Sequence, residues 1–383
     1  MSETQNQKPL LEIQNLRVFF RVRQRLLPAV DGVNLTIRPG EIVGVVGESG
    51  SGKSVMSQSI LRLRDYDSAI SYQGEILFEG QDLLQLPLSK LRKIRGNRIS
   101  VIFQDPLTSL SPVHTVERQL TEVLLLHKNL SKAQARARAQ ELLHLVGIPS
   151  PERCLRQYPY ELSGGMQQRV MIAMALSCEP SLLIADEPTT ALDVTIQEQI
   201  LDLIAQLNEK LGMSVLFITH DLSAMAQLCH SVRVMYLGQI VEEAETSALF
   251  ARPMHPYTQG LLACIPRLDF PRGEPLHVIE GTVPPPSPAF RRAATSAPAV
   301  PMPPTAAGPR RPPLWRPNPA ISSNAGTLSL RRPPDRRWRH EHAPAESERP
   351  AKALSHLRPS GQALPPQDLY ERGLRHVPPA LRG

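Results

Sequence analysis

The chain has 383 residues, enough for one large domain or two ordinary domains. Its net charge of +7 comes from the last hundred residues: residues 284–383 hold 16 of the 43 Lys and Arg residues, 6 of the 36 Asp and Glu residues and 22 of the 38 prolines. Those residues carry +10 and the rest of the chain carries −3, so the overall basicity is no argument for a nucleic-acid-binding domain.

The first predicted elements are strands. The segments "LEIQNLRVFF" and "VNLTI" alternate apolar and polar residues, which predicts half-buried strands. The next segment, "EIVGVVG", is continuously apolar and predicts a strand buried on both faces of a parallel sheet. A helix is predicted from Ser54, with Val55, Ile60 and Leu61 on its buried side. The glycine-rich segment before Ser54 therefore lies between a strand and a helix.

Between residues 102 and 162 the pattern predicts helices. The segment "SKAQARARAQELLHLVGI" begins with Ser131 and has Gln134 three residues later, which is the spacing of a capping box. Gly147 stands where a C-terminal helix cap is expected. The predicted apolar side of this helix contains Leu142, Leu143, Leu145 and Val146.

Strands return from Leu182. "LLIAD" and "SVLFITH" predict buried parallel strands on either side of a helix, "VTIQEQILDLIAQLNEK". "SVRVMYLGQIVEEA" predicts two strands joined by a tight turn at Leu237 and Gly238. "LFARPMHPYTQGLLACIPRLD" predicts a short helical appendage. The whole is an α/β core with a helical insertion, and the proline-rich residues beyond Pro284 are predicted to be disordered.

The four cysteines and the N-terminus indicate the compartment. Cys154, Cys178, Cys229 and Cys264 form no CxxC pair and have no metal-like spacing, which favours reduced thiols in a cytosolic protein. The polar N-terminal segment lacks the apolar core of a signal peptide, and no apolar run approaches the roughly 20 residues that span a bilayer. We expect a soluble, cytoplasmic body that reaches any membrane through a partner.

The segment "GESGSGKS" has the pattern of a phosphate-binding loop. Its glycines allow backbone N–H groups to face a β-phosphate, Lys53 can bridge the β- and γ-phosphates, and the Ser54 hydroxyl can bind Mg²⁺. The predicted nucleotide-binding residues of the loop are Gly47, Glu48, Ser49, Gly50, Ser51, Gly52, Lys53, Ser54 and Val55.

Polar residues at two other predicted strand ends, and one at the edge of the helical insertion, complete a candidate catalytic set. Asp186 ends a buried apolar strand, where a carboxylate is costly unless it meets a cation, so we expect it to bind Mg²⁺. Glu187 can then polarise a water toward the γ-phosphate. Gln104, in "FQDP", can reach Mg²⁺ or the attacking water, and His220, in "ITHD", can contact the γ-phosphate. The predicted catalytic residues are Glu187, His220 and Gln104, and the predicted metal ligands are Ser54, Gln104 and Asp186.

The segment "LSGGMQQR" predicts a helix N-terminus suited to an anion, because exposed N–H groups and the helix dipole both point outward there. It lies more than a hundred residues after the phosphate loop. One chain thus has two candidate phosphate sites.

The order and spacing of these motifs resemble the ATPase subunits of ABC transporters. The resemblance covers about residues 10–285, and its motifs are residues 47–54, 104, 162–168, 186–187, 191–193 and 220. It implies a P-loop ATPase core, in which helices flank a parallel sheet, with an antiparallel β subdomain and an inserted helical subdomain. The implied nucleotide-binding domain is 10–250, with the insertion at about 102–166. An appendage follows at 251–286, and the disordered tail is 287–383.

The resemblance also implies a role for the second anion site. Two such subunits pair head to tail, and Ser163, Gly164 and Gly165 of one cap the γ-phosphate of the ATP that the other holds in its loop. Only an intact triphosphate completes this pairing. Gln167 and Asp193 belong to the implied nucleotide-binding set. An aromatic of the first strand is implied to stack on adenine; Phe20 matches best, Phe19 is the alternative, and the loop at 21–30 that follows is longer than in many relatives.

Two further segments, "FQDPLTSLSPVHTV" and "HPYTQGLLACIPRLD", resemble the dipeptide and oligopeptide importer branch. That branch implies ATP and Mg²⁺ as cofactors, two membrane permeases, a second ATPase subunit in a heterodimer or homodimer, and indirectly a substrate-binding protein, with no nucleic acid partner. The implied place is the cytoplasmic face of the inner membrane, as a peripheral subunit. Nickel or glutathione import is the alternative. A soluble, non-transport ABC ATPase is less favoured because the sequence has no coiled-coil heptads or zinc modules.

The tail departs from the relatives. After a "PPPSP"-like stretch they typically continue as C-x-F-x-P-R-C-P-x-A, whereas no cysteine follows Cys264 here. Read two nucleotides out of phase, codons for residues 293–303 can spell both of those cysteines and the Pro-Arg between them. We hypothesise that the reading frame shifts near residues 289–293. The alternative is a functional basic tail that binds anionic lipid or nucleic acid.

Overall fold

The computed structural model describes residues 8–265 except residues 24 and 191, with the backbone alone at 106 and 107. Ala191, the end of the predicted appendage and the predicted tail lie outside the described residues. The strands are β1 Leu11–Val22, β2 Arg25–Ile37, β3 Ile42–Val46, β4 Ile70–Phe78, β5 Gln81–Asp82, β6 Ile99–Ile102, β7 Leu182–Asp186, β8 Ser214–Thr219, β9 Ser231–Tyr236 and β10 Gln239–Glu245.

Helices connect and cover these strands. They are α1 Lys53–Ile60, α2 Leu88–Ile94, α3 Pro106–Ser109, α4 Val116–His127, α5 Lys132–Leu145, α6 Pro151–Arg156, α7 Gly164–Leu176, α8 Val194–Leu211, α9 Leu222–Leu228, α10 Thr246–Ala251 and α11 Pro256–Ala263. Among the helices within this part of the chain, none is both long and apolar enough to cross a membrane.

The alternating N-terminal segments form an antiparallel sheet in the order β2-β1-β4-β5. Leu11 and Ile13 of β1 are buried, and Glu12 between them is only half-buried, as the period-2 pattern requires. The prediction of a long loop at 21–30 is wrong. The two strands continue as a hairpin, in which Val22 pairs with Arg25, because β-branched and aliphatic residues extend the pairing almost to the turn.

The continuously apolar segments form the second sheet, in the order β10-β9-β3-β8-β7-β6. Its central strands are parallel, and only β10 runs antiparallel to its neighbour. All residues of β3 and of β7 are buried, because helices cover one face and the antiparallel sheet with α1 covers the other. This confirms the prediction of an α/β core.

The helical insertion lies between β6 and β7 and comprises α3 to α6. The predicted capping box at the start of α5 is present, since the Ser131 side chain accepts from the Gln134 N–H and the Gln134 side chain accepts from the Ser131 N–H. Gly147 has a positive φ of 76° after the last turn, as the predicted cap requires. Leu145 is an error of prediction: it is exposed, and Ala135 and Ala139 complete the buried side instead.

The last elements pack behind the phosphate loop. β9 and β10 form the predicted hairpin, whose turn residues Leu237 and Gly238 both have positive φ, the conformation of a tight hairpin turn. Glu242 of β10 holds the residues that precede α11. One of its carboxylate oxygens accepts from the Met254 N–H at 2.7 Å and the other from the His255 N–H at 2.9 Å. The described part of the predicted appendage is therefore helical and docked on the sheet.

Candidate functional site

The candidate site lies where neighbouring parallel strands end. β3, β8, β7 and β6 are adjacent in that order, so the residues that follow them meet at one edge of the sheet. The loop 47–52 follows β3, Gln104 follows β6, Glu187 follows β7 and His220 follows β8. In open α/β sheets, this carboxyl edge is where ligands bind.

The loop after β3 is closely confined by its neighbours. A Cβ at Gly47 would lie 2.1 Å from the Met235 carbonyl oxygen, and a Cβ at Gly52 would lie 2.5 Å from the Ala29 carbonyl oxygen. Gly52 also has a φ of 104° at the start of α1, which favours glycine. Ser49 and Gly50 are exposed, Glu48 and Val55 are half-buried, and Ser51 is buried. The backbone thus forms an open cradle ahead of a helix N-terminus, as an anion site requires.

The Lys53 side chain folds over this loop. Its Nζ donates to the Gly47 carbonyl oxygen at 2.6 Å and to the Glu48 carbonyl oxygen at 2.9 Å, and the residue is only 4% exposed. Burial lowers the pKa of the ammonium group, and the carboxylates of Glu187, Asp186 and Glu48 oppose that shift. Among the described residues, no carboxylate forms an ion pair with this ammonium group, which lies within the cradle.

The donor set at the end of β7 fits a hard cation. The Ser54 hydroxyl donates to Asp186 Oδ1 at 3.0 Å, and the Ser57 hydroxyl lies 3.3 Å from Asp186 Oδ2. Burial raises the pKa of Asp186, and the hydrogen bonds from Ser54 and Ser57 oppose that shift. A buried carboxylate beside a hydroxyl supplies the oxygen ligands that Mg²⁺ prefers, with a substrate phosphate completing the set. No group of three or more His, Cys, Asp or Glu side chains within the described residues could hold a metal alone.

Glu187 is the centre of a polar cluster. Its Oε2 accepts from Gln104 Nε2 at 3.0 Å and from the Thr190 hydroxyl at 3.1 Å, and it lies 3.4 Å from His220 Nδ1. The residue has a φ of 50°, a conformation that is rare outside glycine, and its N–H donates to the Ile218 carbonyl oxygen. The structure therefore brings Glu187, Gln104 and His220 together.

The segment "LSGGMQQR" forms a capped helix start. Ser163 precedes α7, and its Oγ accepts from the Met166 N–H. Ser163 and Gly164 are exposed, and a Cβ at Gly164 would meet nothing within 4 Å. Gln167 points inward, where its Nε2 donates to the Pro159 and Leu162 carbonyl oxygens. Within the described residues, no hydrogen bond or ion pair joins residues 163–165 to the loop 47–54.

The remaining predicted site residues, Asp193 and the two candidate phenylalanines, lie outside the Glu187 cluster. Asp193 is the N-cap of α8, with its Oδ1 accepting from the Ile196 N–H at 2.9 Å. Phe20 is half-buried at the edge of the antiparallel sheet, with the Arg64 guanidinium 5.9 Å from its ring centre, whereas Phe19 points into the interior and is 8% exposed. Phe20 is therefore the more accessible of the two rings.

Three contacts of the site were missed from the sequence, and the first is that of the Ser57 hydroxyl with Asp186. Thr190 holds the Glu187 carboxylate, and a signal for it was present in the Thr-Thr pair that follows "DEP". Tyr257 of α11 accepts the Glu48 N–H on its hydroxyl oxygen at 3.0 Å, and no local pattern indicates a contact across so many residues.

Comparisons with known proteins place the chain in a family. The family described as "ABC transporter" matches residues 30–190, and the family described as "Oligopeptide/dipeptide transporter, C-terminal region" matches residues 241–291. A probable peptide ABC transporter ATP-binding protein of Sinorhizobium fredii is 53% identical over 275 residues, which is 72% of this chain and 82% of the relative. The oligopeptide transport ATP-binding protein AppD of Bacillus subtilis is 52% identical and covers 72% of this chain and 84% of its own length.

Solved structures show the same fold. The dimeric, post-hydrolysis structure of the ATP-binding cassette MJ0796 bound to ADP and Pi matches with a TM-score of 0.56 and 32% identity. The match covers 62% of this chain and 98% of that one.

Proposed function

Because the chain belongs to the ATP-binding subunits of ABC transporters, we propose that it hydrolyses ATP to power the import of dipeptides or oligopeptides through separate permease subunits. The observation that carries the ATPase assignment is the meeting of Lys53, Asp186 and Glu187 at one sheet edge. The match of residues 241–291 to the oligopeptide/dipeptide transporter region supports the peptide substrate.

In the proposed mechanism the loop 47–55 holds the phosphates of ATP, and the Lys53 ammonium, already within the cradle, pairs with phosphate oxygens. Ser54 and Asp186, with Gln104 as a third ligand, would hold Mg²⁺, which neutralises charge on the triphosphate when bound. Glu187 accepts a proton from the attacking water, and Gln104 orients the carboxylate through its 3.0 Å hydrogen bond. The His220 side chain is 59% exposed, so it would be free to contact the γ-phosphate.

The proposed assembly contains two ATPase subunits and two permeases on the cytoplasmic face of the membrane, and a substrate-binding protein delivers the peptide. In that assembly Ser163, Gly164 and Gly165 cap the γ-phosphate of the ATP that the partner subunit binds. Gln167 stabilises the start of α7, and Asp193 stabilises the start of α8. The absence of any bond between residues 163–165 and the chain's own loop, within the described residues, supports a role in a partner's site. We further propose 10–250 as the nucleotide-binding domain, 251–286 as the appendage and 287–383 as a separate tail.

The function is tested with the full chain, co-expressed with its permeases and reconstituted in proteoliposomes. We expect Mg²⁺-dependent ATP hydrolysis and ATP-driven uptake of a labelled oligopeptide. Lys53→Ala removes the charge that pairs with the phosphates, so ATP affinity should fall by about 10- to 100-fold. Hydrolysis with uptake of nickel or glutathione instead of peptide would establish the alternative substrate, and no hydrolysis at all would refute the ATPase assignment.

A separate prediction concerns the adenine. Phe20→Leu removes a half-buried ring that can stack on a base, so ATP affinity should fall by about tenfold with little change in stability. Phe19→Leu is the matched control: it trims a ring in the interior, which should lower the free energy of unfolding by about 1 kcal/mol and leave ATP affinity unchanged. Titration calorimetry with ATP and urea unfolding of both variants separate the two residues. The reverse pattern would assign the stacking role to Phe19.

A further inference from the structure

We propose that Tyr257 is a positioning residue for the phosphate loop, so that the segment after β10 sets the affinity of the loop for ATP. The proposal rests on the proposed ATPase function and extends it to an element outside the strand ends that form the site. Tyr257 lies in α11, within residues 241–291, the part of the chain that matches the oligopeptide/dipeptide transporter region.

The Tyr257 hydroxyl contacts Glu48, a residue to which Lys53 is also hydrogen-bonded. The Glu48 N–H donates to the Tyr257 hydroxyl oxygen at 3.0 Å, while the Glu48 carbonyl oxygen accepts from Lys53 Nζ at 2.9 Å and from the Ser51 N–H at 3.2 Å. Glu48 is therefore held by α11 at its N–H and by Lys53 at its carbonyl. A change in the position of Glu48 moves an oxygen that sets where the Lys53 ammonium rests.

The tyrosine is itself held firmly. Tyr257 is 5% exposed, and its ring packs against Tyr236 of β9 with 4.4 Å between ring centres. Burial raises the pKa of its hydroxyl, which therefore stays neutral at physiological pH. The Tyr257 N–H donates to His255 Nδ1, and Glu242 accepts the N–H groups of Met254 and His255 just before the helix.

A second contact from the same region reaches the loop. The Gly238 N–H, in the β9–β10 turn, donates to the Ser51 carbonyl oxygen at 2.9 Å. The outer side of the loop is thus held at Glu48 by α11 and at Ser51 by the turn. Since a cradle that is already ordered loses less entropy when it binds, these contacts should raise affinity for the triphosphate.

The position of Tyr257 predicts which kinetic constant changes when its hydroxyl is removed. Tyr257 has no contact with Glu187, Gln104 or His220 within the described residues, so the proton-accepting cluster is unaffected by its hydroxyl. Loss of the hydroxyl leaves the Glu48 N–H without its partner and loosens the loop. The expected result is a raised KM and Kd for ATP with an unchanged kcat.

The test is Tyr257→Phe in the full chain, which removes one oxygen and keeps the ring. Tyr236→Phe is the matched control, because it removes a hydroxyl from the other ring of the pair, and that hydroxyl forms no hydrogen bond within the described residues. We expect Tyr257→Phe to raise the Kd for Mg²⁺-ATP by about 3- to 10-fold, with kcat within twofold of the wild type. Tyr236→Phe should leave both unchanged.

Three results would overturn the proposal: equal ATP affinity in the two variants, a lowered thermal midpoint in Tyr257→Phe with unchanged Kd, or a loss confined to kcat. The first two would make the hydroxyl a purely structural contact. If the wild-type chain bound no ATP, the ATPase function itself would fail. That outcome is distinct from a wild type that binds ATP and a Tyr257→Phe variant that binds it equally well.

Discussion

Glu187→Gln is expected to lower ATP turnover by about 10²- to 10⁴-fold while ATP binding is retained. The amide has the size of the carboxylate, so Gln104 and Thr190 still have an oxygen to contact. It cannot accept a proton from water at neutral pH, however, and that is the step proposed for Glu187. The phosphate cradle is unchanged, because Lys53 bonds to backbone oxygens of the loop and not to Glu187.

The measurement is steady-state phosphate release together with the Kd for ATP. Glu48→Gln is the matched control, since Glu48 is another half-buried glutamate whose charge acts on Lys53, but its side chain lies outside the Gln104–Thr190–His220 cluster. It should retain turnover within several-fold of the wild type. Near-normal turnover in Glu187→Gln would remove Glu187 from the catalytic role, and an equal loss in both variants would point to a general effect of charge.

Gly164→Asp is expected to abolish ATP-driven pairing of the two ATPase subunits and to spare ATP binding by the separate subunit. A Cβ at Gly164 would meet nothing within 4 Å among the described residues, whereas a Cβ at Gly165 would lie 3.1 Å from Ile196 Cγ2, so position 164 gives the cleaner test. An aspartate in the first turn of α7 also interacts favourably with the helix dipole. The local structure is therefore kept, and the unfavourable effect of the added charge is on the phosphate that a partner presents.

Pairing is measured by light scattering with and without ATP, in the Glu187→Gln background so that bound ATP persists. Gly164→Ala is the control for size and should pair as the parent does. If Gly164→Asp lost ATP affinity in the separate subunit to the same extent, the segment would be only a local helix cap. If it still paired with ATP, the segment would not face a partner's phosphate.

The sequence predicted the parts of the fold that depend on local pattern. β3 and β7 are apolar at nearly every position, which requires burial on both faces, and the phosphate loop lies between a strand and a helix as its motif demands. The meeting of Glu187 and His220 followed from their predicted places at strand ends, because parallel strands bring those ends to one edge. Gln104 was predicted at the edge of the helical insertion, and the strand β6 that brings it to the same edge was not predicted.

The predictions were wrong or incomplete where tertiary contacts, and not the local sequence, determine the structure. Leu145 has the apolar character of its neighbours on α5, but the helix presents Ala135 and Ala139 to the interior, so the leucine faces solvent. The hairpin at 21–30 forms although its charged residues resemble a loop, since the pairing of β1 with β2 continues through them. Tyr257 approaches Glu48 only after β10 and α11 have folded back on the sheet.

Glu187 has a backbone conformation that favours glycine. The residue proposed for catalysis is therefore not the one that would make the fold most stable at this position. For an L-residue, the left-handed region costs about 1–2 kcal/mol. Any substitution by glycine would relax that conformation and delete the carboxylate in the same step. Glu187→Gly should therefore stabilise the fold and, if Glu187 has the proposed role, abolish turnover in the same protein.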